Sequence, residues 1–478
     1  MIPDVIKNHI RPKSTEVRDI NGAYYVYRYT SVWDSEKKRS KKKTLDCIGK
    51  ITEKDGFIPS PKKQALEIGN VIVKEYGCYH MFHSMNEGIY ETLRKYFPST
   101  FREIFAIAIL RLMNRTTNTT MKSYYNASYL SEEISGLHLS ENTITKFMRD
   151  LGEQRSQMIE FMKEFINSEE TYLIDGTRFF SSSNKSSYAR KGYNTKKVQT
   201  KQINVLYLFA RNSRSPVYYQ LLPGNIVDKS EVERTLRESE VKNCIVIGDN
   251  GCYSKNITGY MDTESISYIY PLRTDTTYVD EAFRSTPGYK KYDDALIYHG
   301  RTVWYKKQPV GTNGKYIYIY QDSGTKGIKE NHYIERYTAG YEGYTLEDFY
   351  NKQQNYGMTF LYSSIDTDPK EIYLAYKTRW ELEELFDYLK NGLDLGRISQ
   401  QSNVAMEAWA FLNHICIMMF YSLCRRMADA GLSDQYAAEN LIGLAKNISK
   451  VQINDKWYLS AISKTDKDLF AQIGVSFE

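Results

Sequence analysis

TYLIDGTRFF, residues 171–180, begins the segment of this chain whose pattern is most informative about its fold. Its apolar and aromatic residues are typical of a strand. Two strands, a helix, a strand, a short helix and a strand follow: INVLYLFA (203–210), PVYYQLL (216–222), DKSEVERTLRESEV (228–241), NCIVIGD (243–249), NGCYSKNITGYM (250–261) and ISYIYPLR (266–273). Strands that alternate with helices predict an α/β sheet covered by helices.

Two aspartates in these strands are candidate site residues. Asp175 interrupts an apolar run, where a carboxylate either lies in water at a sheet edge or serves a site with a cation. Asp249 ends the apolar run CIVIG, and ligands of α/β sheets gather at the carboxyl ends of strands. Asp-Asn-Gly is also a common turn sequence, so the alternative that Asp249 is an ordinary turn aspartate stays open. Asp228 is a weaker candidate, because its spacing to Glu231 fits a capping box.

A later helix carries a third acid. Asp368-Pro369 predicts its start, with the acid at the N-cap and the proline at the first helical position, and the pattern continues to Gly392. At about 100° per residue, one stripe about 60° wide holds four polar side chains, Tyr376, Arg379, Glu383 and Lys390. The opposite face is predicted to pack on the core through Leu374, Leu382, Leu385 and Leu389. Taken alone, the stripe also fits a solvated face with an Arg379–Glu383 ion pair.

Together these residues form an acidic trio. Carboxylates are the ligands that Mg²⁺ prefers. Three of them can hold two ions roughly 3.5–4 Å apart, which is the arrangement for in-line phosphoryl transfer. Asp175, Asp249 and Glu383 therefore predict a metal-dependent site, with Arg379 and Lys390 placed to hold phosphates.

The spacing Tyr376-x-x-Arg379-x-x-x-Glu383-x-x-x-x-x-x-Lys390 resembles the tyrosine–arginine–glutamate–lysine signature of bacterial insertion-sequence DDE transposases, in the superfamily called insertion sequence four. Three shorter stretches are also similar to motifs of this family: LID (173–175), PGNIVD (223–228) and IGDNGCYS (247–254). Asn250 departs from the basic residue that many relatives carry after the second aspartate. The resemblance covers about 170–430 well and the N-terminal region more loosely.

The resemblance implies a ribonuclease-H-like core in which Asp175, Asp249 and Glu383 are catalytic and bind the metal ions. It implies that Tyr376, Arg379 and Lys390 contact the DNA of the transposon end. The separation of 134 residues between Asp249 and Glu383 (383 − 249) implies a β-rich insertion domain, which agrees with the strand signals in 276–365. Trp304 in that segment either stacks on a flipped base or is a buried sheet tryptophan.

The N-terminal region predicts a basic β-hairpin. Asn21-Gly22 is a type I′ turn signal, and AYYVYRYTSVW (23–33) after it reads as a strand. The next run, EKKRSKKK (36–43), places six cations near a loop tip: Lys37, Lys38, Arg39, Lys41, Lys42 and Lys43. They either form a solvated turn or contact DNA phosphates.

The helical region that follows resembles a helix-turn-helix around SEEISGLHLSENTITKFMRDLG (131–152), although most such pairs are simply packed helices. The predicted organisation is a multi-domain α/β chain. Its parts are a β-rich hairpin region (1–60), a helical DNA-binding domain (61–168), the first part of the core (169–275), the β-rich insertion domain (276–365), the second part of the core (366–430) and a C-terminal tail region (431–478).

Composition excludes several other classes of protein. The chain has 478 residues, 41% hydrophobic and 26% charged, with a net charge of +6, which permits a nucleic-acid partner without requiring one. Its six cysteines form no C-x-x-C pair, so we expect neither a zinc knuckle nor a disulfide scaffold, and a reducing cytoplasm fits. P-loop, G-x-G-x-x-G, H-E-x-x-H and G-x-S-x-G motifs are absent. The apolar run 408–424 contains Asn413 and His414, and we expect a buried helix rather than a membrane span.

The expected function is therefore DNA transposition in a bacterial cytoplasm, associated with the nucleoid. The enzyme would cleave double-stranded DNA at inverted-repeat ends and join the 3′-hydroxyl ends to target DNA, using two Mg²⁺ ions, with Mn²⁺ as a substitute. A homodimer on DNA is expected, because two ends must be paired. Two alternatives stay open, a ribonuclease-H-like nuclease without strand transfer and a domesticated DNA-binding protein that no longer cuts.

Overall fold

The computed structural model describes residues 2–34, 38–60, 71–192, 200–226, 229–274, 276, 279, 291–393 and 396–477. The chain divides into two compact units. The N-terminal unit comprises Met1–Ile72 and Val451–Tyr458, and the larger unit comprises Val73–Lys450 and Leu459–Glu478.

The N-terminal unit is a four-stranded antiparallel sheet with a short helix. The helix is α1 (Asp4–Asn8), and the strands, in their order across the sheet, are β1 (Thr15–Ile20), β2 (Ala23–Asp34), β3 (Arg39–Thr52) and β4 (Gly56–Pro59). Asn21 and Gly22 have φ angles of 52° and 81°, which confirms the type I′ turn predicted between β1 and β2. Ile6, Val26, Ile48 and Ile51 form a small buried core.

The larger unit begins with a helical region. Its helices are α2 (Gly77–Met85), α3 (Glu87–Tyr96), α4 (Phe101–Asn114), α5 (Met121–Ala127), α6 (Leu130–Glu133), α7 (Glu141–Gly152) and α8 (Arg155–Lys163). Ser140 caps α7 by accepting a hydrogen bond from the backbone N–H of Thr143. The buried face of α7 carries Ile144, Met148 and Leu151. A DNA-binding role for this region stays a prediction, as do the domain boundaries.

A mixed sheet forms the centre of the larger unit. The strands are β6 (Thr171–Ser181), β8 (Lys201–Ala210), β9 (Ser215–Pro223), β10 (Ile245–Gly248) and β11 (Ser267–Leu272), and the helices are α9 (Lys229–Ser239) and α10 (Lys255–Thr263). This confirms the predicted order of three strands, helix, strand, helix and strand. The strands lie side by side as β9-β8-β6-β10-β11, and only the β6–β10 and β10–β11 pairs are parallel. Asp228 lies outside the described residues.

The segment 276–365 extends this same sheet. Its strands are β12 (Asp294–Tyr298), β13 (Arg301–Val310), β14 (Lys315–Asp322) and β15 (Met358–Ser363), and β15 pairs with β11. The composition predicts a mostly β segment, but two helices interrupt it, α11 (Ser323–Thr338) and α12 (Leu346–Gln353). Asp322 and Thr345 cap their N-termini by accepting hydrogen bonds from the backbone N–H groups of Thr325 and Asp348. Both capping residues favour the start of a helix, whereas the tyrosine-rich composition of the segment indicates strands.

The helix predicted between Asp368 and Gly392 is divided. The chain forms α13 (Pro369–Lys377), a two-residue turn, α14 (Trp380–Asp387) and a π-helical turn (Tyr388–Gly392). Backbone hydrogen bonds three residues apart tighten the turn, from the N–H of Arg379 to Tyr376 O (3.2 Å) and from the N–H of Leu382 to Arg379 O (3.1 Å). The predicted core position of Leu374 is therefore wrong, since this side chain before the turn is 49% exposed.

One helix runs through the core of the larger unit. This helix, α15 (Asn403–Asp429), is the one helix in the described residues that is long and apolar enough to cross a membrane, and 83% of its apolar window is buried. Asn413 and His414 within it are also buried, as expected for a core helix. The remaining elements are β5 (Val71–Glu75), β7 (Arg190–Lys191), β16 (Arg397–Ile398), α16 (Ala438–Lys446), β17 (Ser449–Ile453), β18 (Lys456–Leu459) and α17 (Lys464–Gln472).

Candidate active site

Two neighbouring parallel strands place the two aspartates. Gly248, the last residue of β10, pairs with Ile174 of β6, so Asp249 and Asp175 are the next residues along the two strands. A Cβ on Gly248 would lie 2.3 Å from the ring of Tyr270, which is fully buried. Only glycine fits at this close approach, directly before Asp249.

Helix α14 presents the third acid. Leu382 and Leu385 are fully buried, which fixes one face of the helix against the core. Glu383 lies between them in sequence and points away, with its side chain 70% exposed. The helical period therefore separates the packing residues from the acid, as predicted.

Arg379, in the turn before α14, brings the three carboxylates together. Its Nη1 donates a hydrogen bond to Oδ2 of Asp175 at 3.0 Å and lies 3.4 Å from Oδ1 of Asp249. Its Nη2 lies 3.9 Å from Oε1 of Glu383. Three acids separated by as many as 208 residues of sequence (383 − 175) thus lie around a single guanidinium, whose side chain is 17% exposed.

Burial dominates the electrostatics of the site. It raises the pKa of Asp175 above its ordinary value, and the positive charge of Arg379 and a hydrogen bond donated by the Gly176 N–H oppose this shift. Burial likewise raises the pKa of the Cys252 thiol to about 12, and the charge of Asp175 adds to the effect. Cys252 is therefore a protonated thiol at neutral pH and contributes neither a nucleophile nor a thiolate ligand.

The donor set fits a hard divalent cation. Asp175, Asp249 and Glu383 offer only carboxylate oxygens, the ligand type that Mg²⁺ and Mn²⁺ share. Across the described ranges, no group of three or more Asp, Glu, His or Cys side chains is arranged to hold a metal ion. The carboxylates instead face the Arg379 guanidinium, which competes with a cation for their oxygens.

Tyr376 lies close to this group and Lys390 lies elsewhere. The Tyr376 ring is 6.0 Å from the Arg379 guanidinium, and burial raises the pKa of its hydroxyl. Lys390 is in the π-helical turn, with Nζ 5.8 Å from the ring of Phe179, and burial together with the charge of Arg178 lowers its pKa. Lys390 forms no ion pair with the three acids in the part of the chain that the structure describes.

The other candidate DNA contacts are exposed. Lys38, Arg39, Lys41, Lys42 and Lys43 lie at the end of the β2–β3 hairpin in the N-terminal unit, and Lys37 lies outside the described residues. Trp304, on β13, is 44% exposed, so its alternative as a buried sheet tryptophan is wrong.

Further side chains near the site were not predicted. A cavity of about 220 Å³ is lined by Asp175, Asp249, Arg178 and Glu231. A groove of about 840 Å³ borders Glu383 and includes the half-exposed Trp380. Arg178 was not predicted because a position three residues after Asp175 in a strand does not indicate a function. Glu231 was not predicted because its sequence position indicates a helix-capping residue.

A family model described as "Transposase DDE domain" matches residues 167–419 of the chain. The match spans 253 residues (419 − 167 + 1), more than half of the 478. No curated protein matches the sequence. Six chains of solved structures match, and one is the piggyBac transposase in a synaptic complex with hairpin DNA. That match has a TM-score of 0.44 and 11% sequence identity, and it covers 79% of this chain and 82% of that chain.

Proposed function

This chain belongs to the family of transposase DDE domains, and we propose that it cleaves DNA at the inverted-repeat ends of an insertion sequence and joins the 3′-hydroxyl ends to target DNA. Within the family, we propose membership of the insertion sequence four superfamily on the signature from Tyr376 to Lys390. The catalytic residues of the proposal are Asp175, Asp249 and Glu383.

One observation carries this assignment. The three acids come from β6, from the end of β10 and from α14, and all three lie within 4 Å of the Arg379 guanidinium. Clustered carboxylates repel one another, so such a cluster needs a function that outweighs its electrostatic cost. An ordinary solvated helix face would pair Arg379 with Glu383 alone, whereas its shortest contacts are with the two aspartates.

The sheet supports a ribonuclease-H-like core around these acids. Three antiparallel neighbours, β9, β8 and β6, are continued by two parallel ones, β10 and β11, which is the arrangement expected of that core. The first acid lies on the central strand and the second at the end of its parallel neighbour. The strands and helices between β11 and α13 would then be the insertion domain.

The chain's own residues would bind and orient the DNA. Divalent ions, when bound, would activate the attacking water or 3′-hydroxyl and stabilise the leaving oxygen. Asp175 and Asp249 are held by adjacent strands, so their relative position is fixed before DNA arrives. Arg379 can exchange the carboxylates for a DNA phosphate, which accepts the same forked hydrogen bonds.

The remaining contacts of the proposal surround this centre. Tyr376 and Lys390 would contact the transposon end, Trp304 would stack on a base, and the hairpin cations at 37–43 would contact phosphates. Two Mg²⁺ ions, replaceable by Mn²⁺, fit the carboxylate donors. Since both ends of the element must be held at once, we propose a homodimer on DNA.

The test uses the DNA that flanks this gene. Labelled terminal repeats are incubated with the purified protein and Mg²⁺, and the products are resolved by length. We expect the wild type to cut at the repeat ends and to yield joined products with a target duplex. Asp249→Ala should bind the ends and produce neither.

Matched controls separate the alternatives. Glu384→Gln removes the same charge as Glu383→Gln from the adjacent, exposed position of α14, and it should cut normally. Cleavage without joined products would replace the transposase by a nuclease. Tight binding of the ends without cleavage by the wild type would support the non-cutting DNA-binding protein.

A further inference from the structure

The end of the β2–β3 hairpin projects beyond its own sheet. β1 pairs with β2 only as far as Arg28, and β4 pairs with β3 only between Gly49 and Thr52. Residues 30–34 and 39–43 therefore pair only with each other in the described structure. At 3.3–3.4 Å per residue, these five-residue segments form a free two-stranded ribbon about 17 Å long.

The two faces of this ribbon differ in chemistry. The register pairs Thr30 with Lys43 and Val32 with Lys41, and residues directly opposite each other share a face. Because side chains alternate along a strand, Arg39 lies on this face as well. The result is a face that carries Arg39, Lys41 and Lys43, and the register places Asp34 opposite Arg39.

The opposite face is aromatic and polar. It carries Trp33 opposite Ser40 and Ser31 opposite Lys42. The Nζ of Lys42 lies 4.4 Å from the ring centroid of Tyr29, so this lysine is engaged within the hairpin. Lys41 and Lys42 are adjacent in β3, but they lie on opposite faces of the ribbon and have different surroundings.

Lys41 and Lys43 lie opposite neutral residues of β2. All three cations of the face are exposed, and no described carboxylate forms an ion pair with Lys41 or Lys43. Successive cations stand about 7 Å apart, where each pair repels by about 0.6 kcal/mol in water. A regularly spaced polyanion relieves this repulsion and releases the counterions that the face collects.

We propose that this ribbon lies in the major groove of duplex DNA, with the face of Arg39, Lys41 and Lys43 against it. The inference rests on the proposed function for the identity of the partner as DNA, and it adds the element and the face that engage it. The major groove, about 12 Å wide, admits a two-stranded β-ribbon. Val32, which is 48% exposed and lies opposite Lys41 on this face, loses water contact in the groove.

The salt dependence of binding tests the proposal without any cleavage. The full chain is titrated in EDTA against a short fluorescein-labelled duplex of mixed sequence at several salt concentrations. Lys41→Ala/Lys43→Ala should reduce the slope of log affinity against log salt by about 2, since each lost phosphate contact removes about 0.9. The matched control is Lys50→Ala/Lys54→Ala, which removes two exposed charges of the same unit outside the ribbon and should leave the slope unchanged.

Further outcomes decide the face and the groove. Lys42→Ala should reduce the slope less than Lys41→Ala does, and an equal effect would overturn the assignment of the face. Bound wild type should protect guanine N7 in the major groove from dimethyl sulfate, and Lys41→Ala/Lys43→Ala should lose that protection. An unchanged slope in this double variant, or tighter binding to the single strand than to the duplex, would overturn the proposal.

This test is independent of the proposed active site. Binding in EDTA requires no metal ion and no cleavage, so an inactive centre leaves the readout intact. Unchanged thermal unfolding of the variants shows that the hairpin still folds. If the wild type never cuts DNA but its affinity has the salt dependence expected for the ribbon, the proposed function is contradicted and this inference stands.

Discussion

Arg379 neutralises much of the negative charge that Asp175, Asp249 and Glu383 bring to one place. Its three contacts of 3.0, 3.4 and 3.9 Å make it the cation of the site in this structure. A guanidinium and a divalent ion compete for the same oxygens. The stability of the protein should therefore respond to divalent ions through this residue.

Arg379→Ala should lower the free energy of unfolding by about 2 kcal/mol without divalent ions, because it leaves three carboxylates unpaired. Added Mg²⁺ should restore more stability to the variant than to the wild type. Thermal unfolding with and without Mg²⁺ measures both effects. Lys352→Ala, which breaks the exposed ion pair with Asp348, serves as the control and should cost about 0.5 kcal/mol or less. Equal responses of variant and wild type to Mg²⁺ would contradict this role.

Glu75, which is remote in sequence from the three acids of the site, makes the stability of the protein depend on pH. Burial raises its pKa from 4.5 to about 7, against hydrogen bonds from the Cys78 N–H and the Ser128 hydroxyl. The folded chain thus holds a proton that the unfolded chain releases above pH 4.5. The stability that this group contributes is present below that pH and is lost as the pH rises through about 7.

Glu75→Gln should therefore flatten the pH profile of stability. The wild type should lose up to about 3 kcal/mol from this group between about pH 4 and pH 8, and the variant should not. Urea unfolding across this range measures the difference. Glu87→Gln, at an exposed position of α3, should keep the wild-type profile. A profile of Glu75→Gln that parallels the wild type would rule out this carboxyl as the cause.

At the element scale, strand β10 must approach β11 closely to place Asp249. Gly248→Ala would put a Cβ 2.3 Å from the Tyr270 ring and 3.1 Å from Cys252, both buried. We expect a loss of about 1–3 kcal/mol, since neither neighbour can move into free space. Gly259→Ala in α10 meets no atom within 4 Å and should be neutral or stabilising. Urea unfolding of the two variants tests this, and a Gly248→Ala variant as stable as Gly259→Ala would refute the packing argument.

Sequence patterns predict some elements of this protein well and others poorly. The apolar strand before Asp249 and the amphipathic helix α9 are local patterns, and the structure confirms them. The turn at Arg379 could not be predicted, because residues 369–387 have good helical periodicity throughout. The turn places Arg379 beside Asp175. Leu374 shows the consequence, since an ideal helix buries it and the observed one exposes it.

At the scale of the whole molecule, strand pairing brings distant segments together. Ile269 of β11 pairs with Ser363 of β15, 94 residues later (363 − 269), so 276–365 extends the central sheet. Single-sequence patterns contain no information on this pairing. The grouping of Asp175, Asp249 and Glu383 was predicted from the three acids taken together and from the family resemblance, whereas no single motif specifies it. The two faces of the hairpin ribbon depend on strand register, which the run of lysines does not specify.

The central claim is that Asp175, Asp249 and Glu383 act as one catalytic unit. Single-turnover cleavage of labelled end DNA should be measured for Asp175→Asn, Asp249→Asn, Glu383→Gln and the triple variant. Residues that act as a unit are strongly non-additive, so each single variant should fall to the residual rate of the triple variant while binding the ends as the wild type does. Substantial cleavage by any single variant, or losses that simply multiply in the triple variant, would contradict the claim.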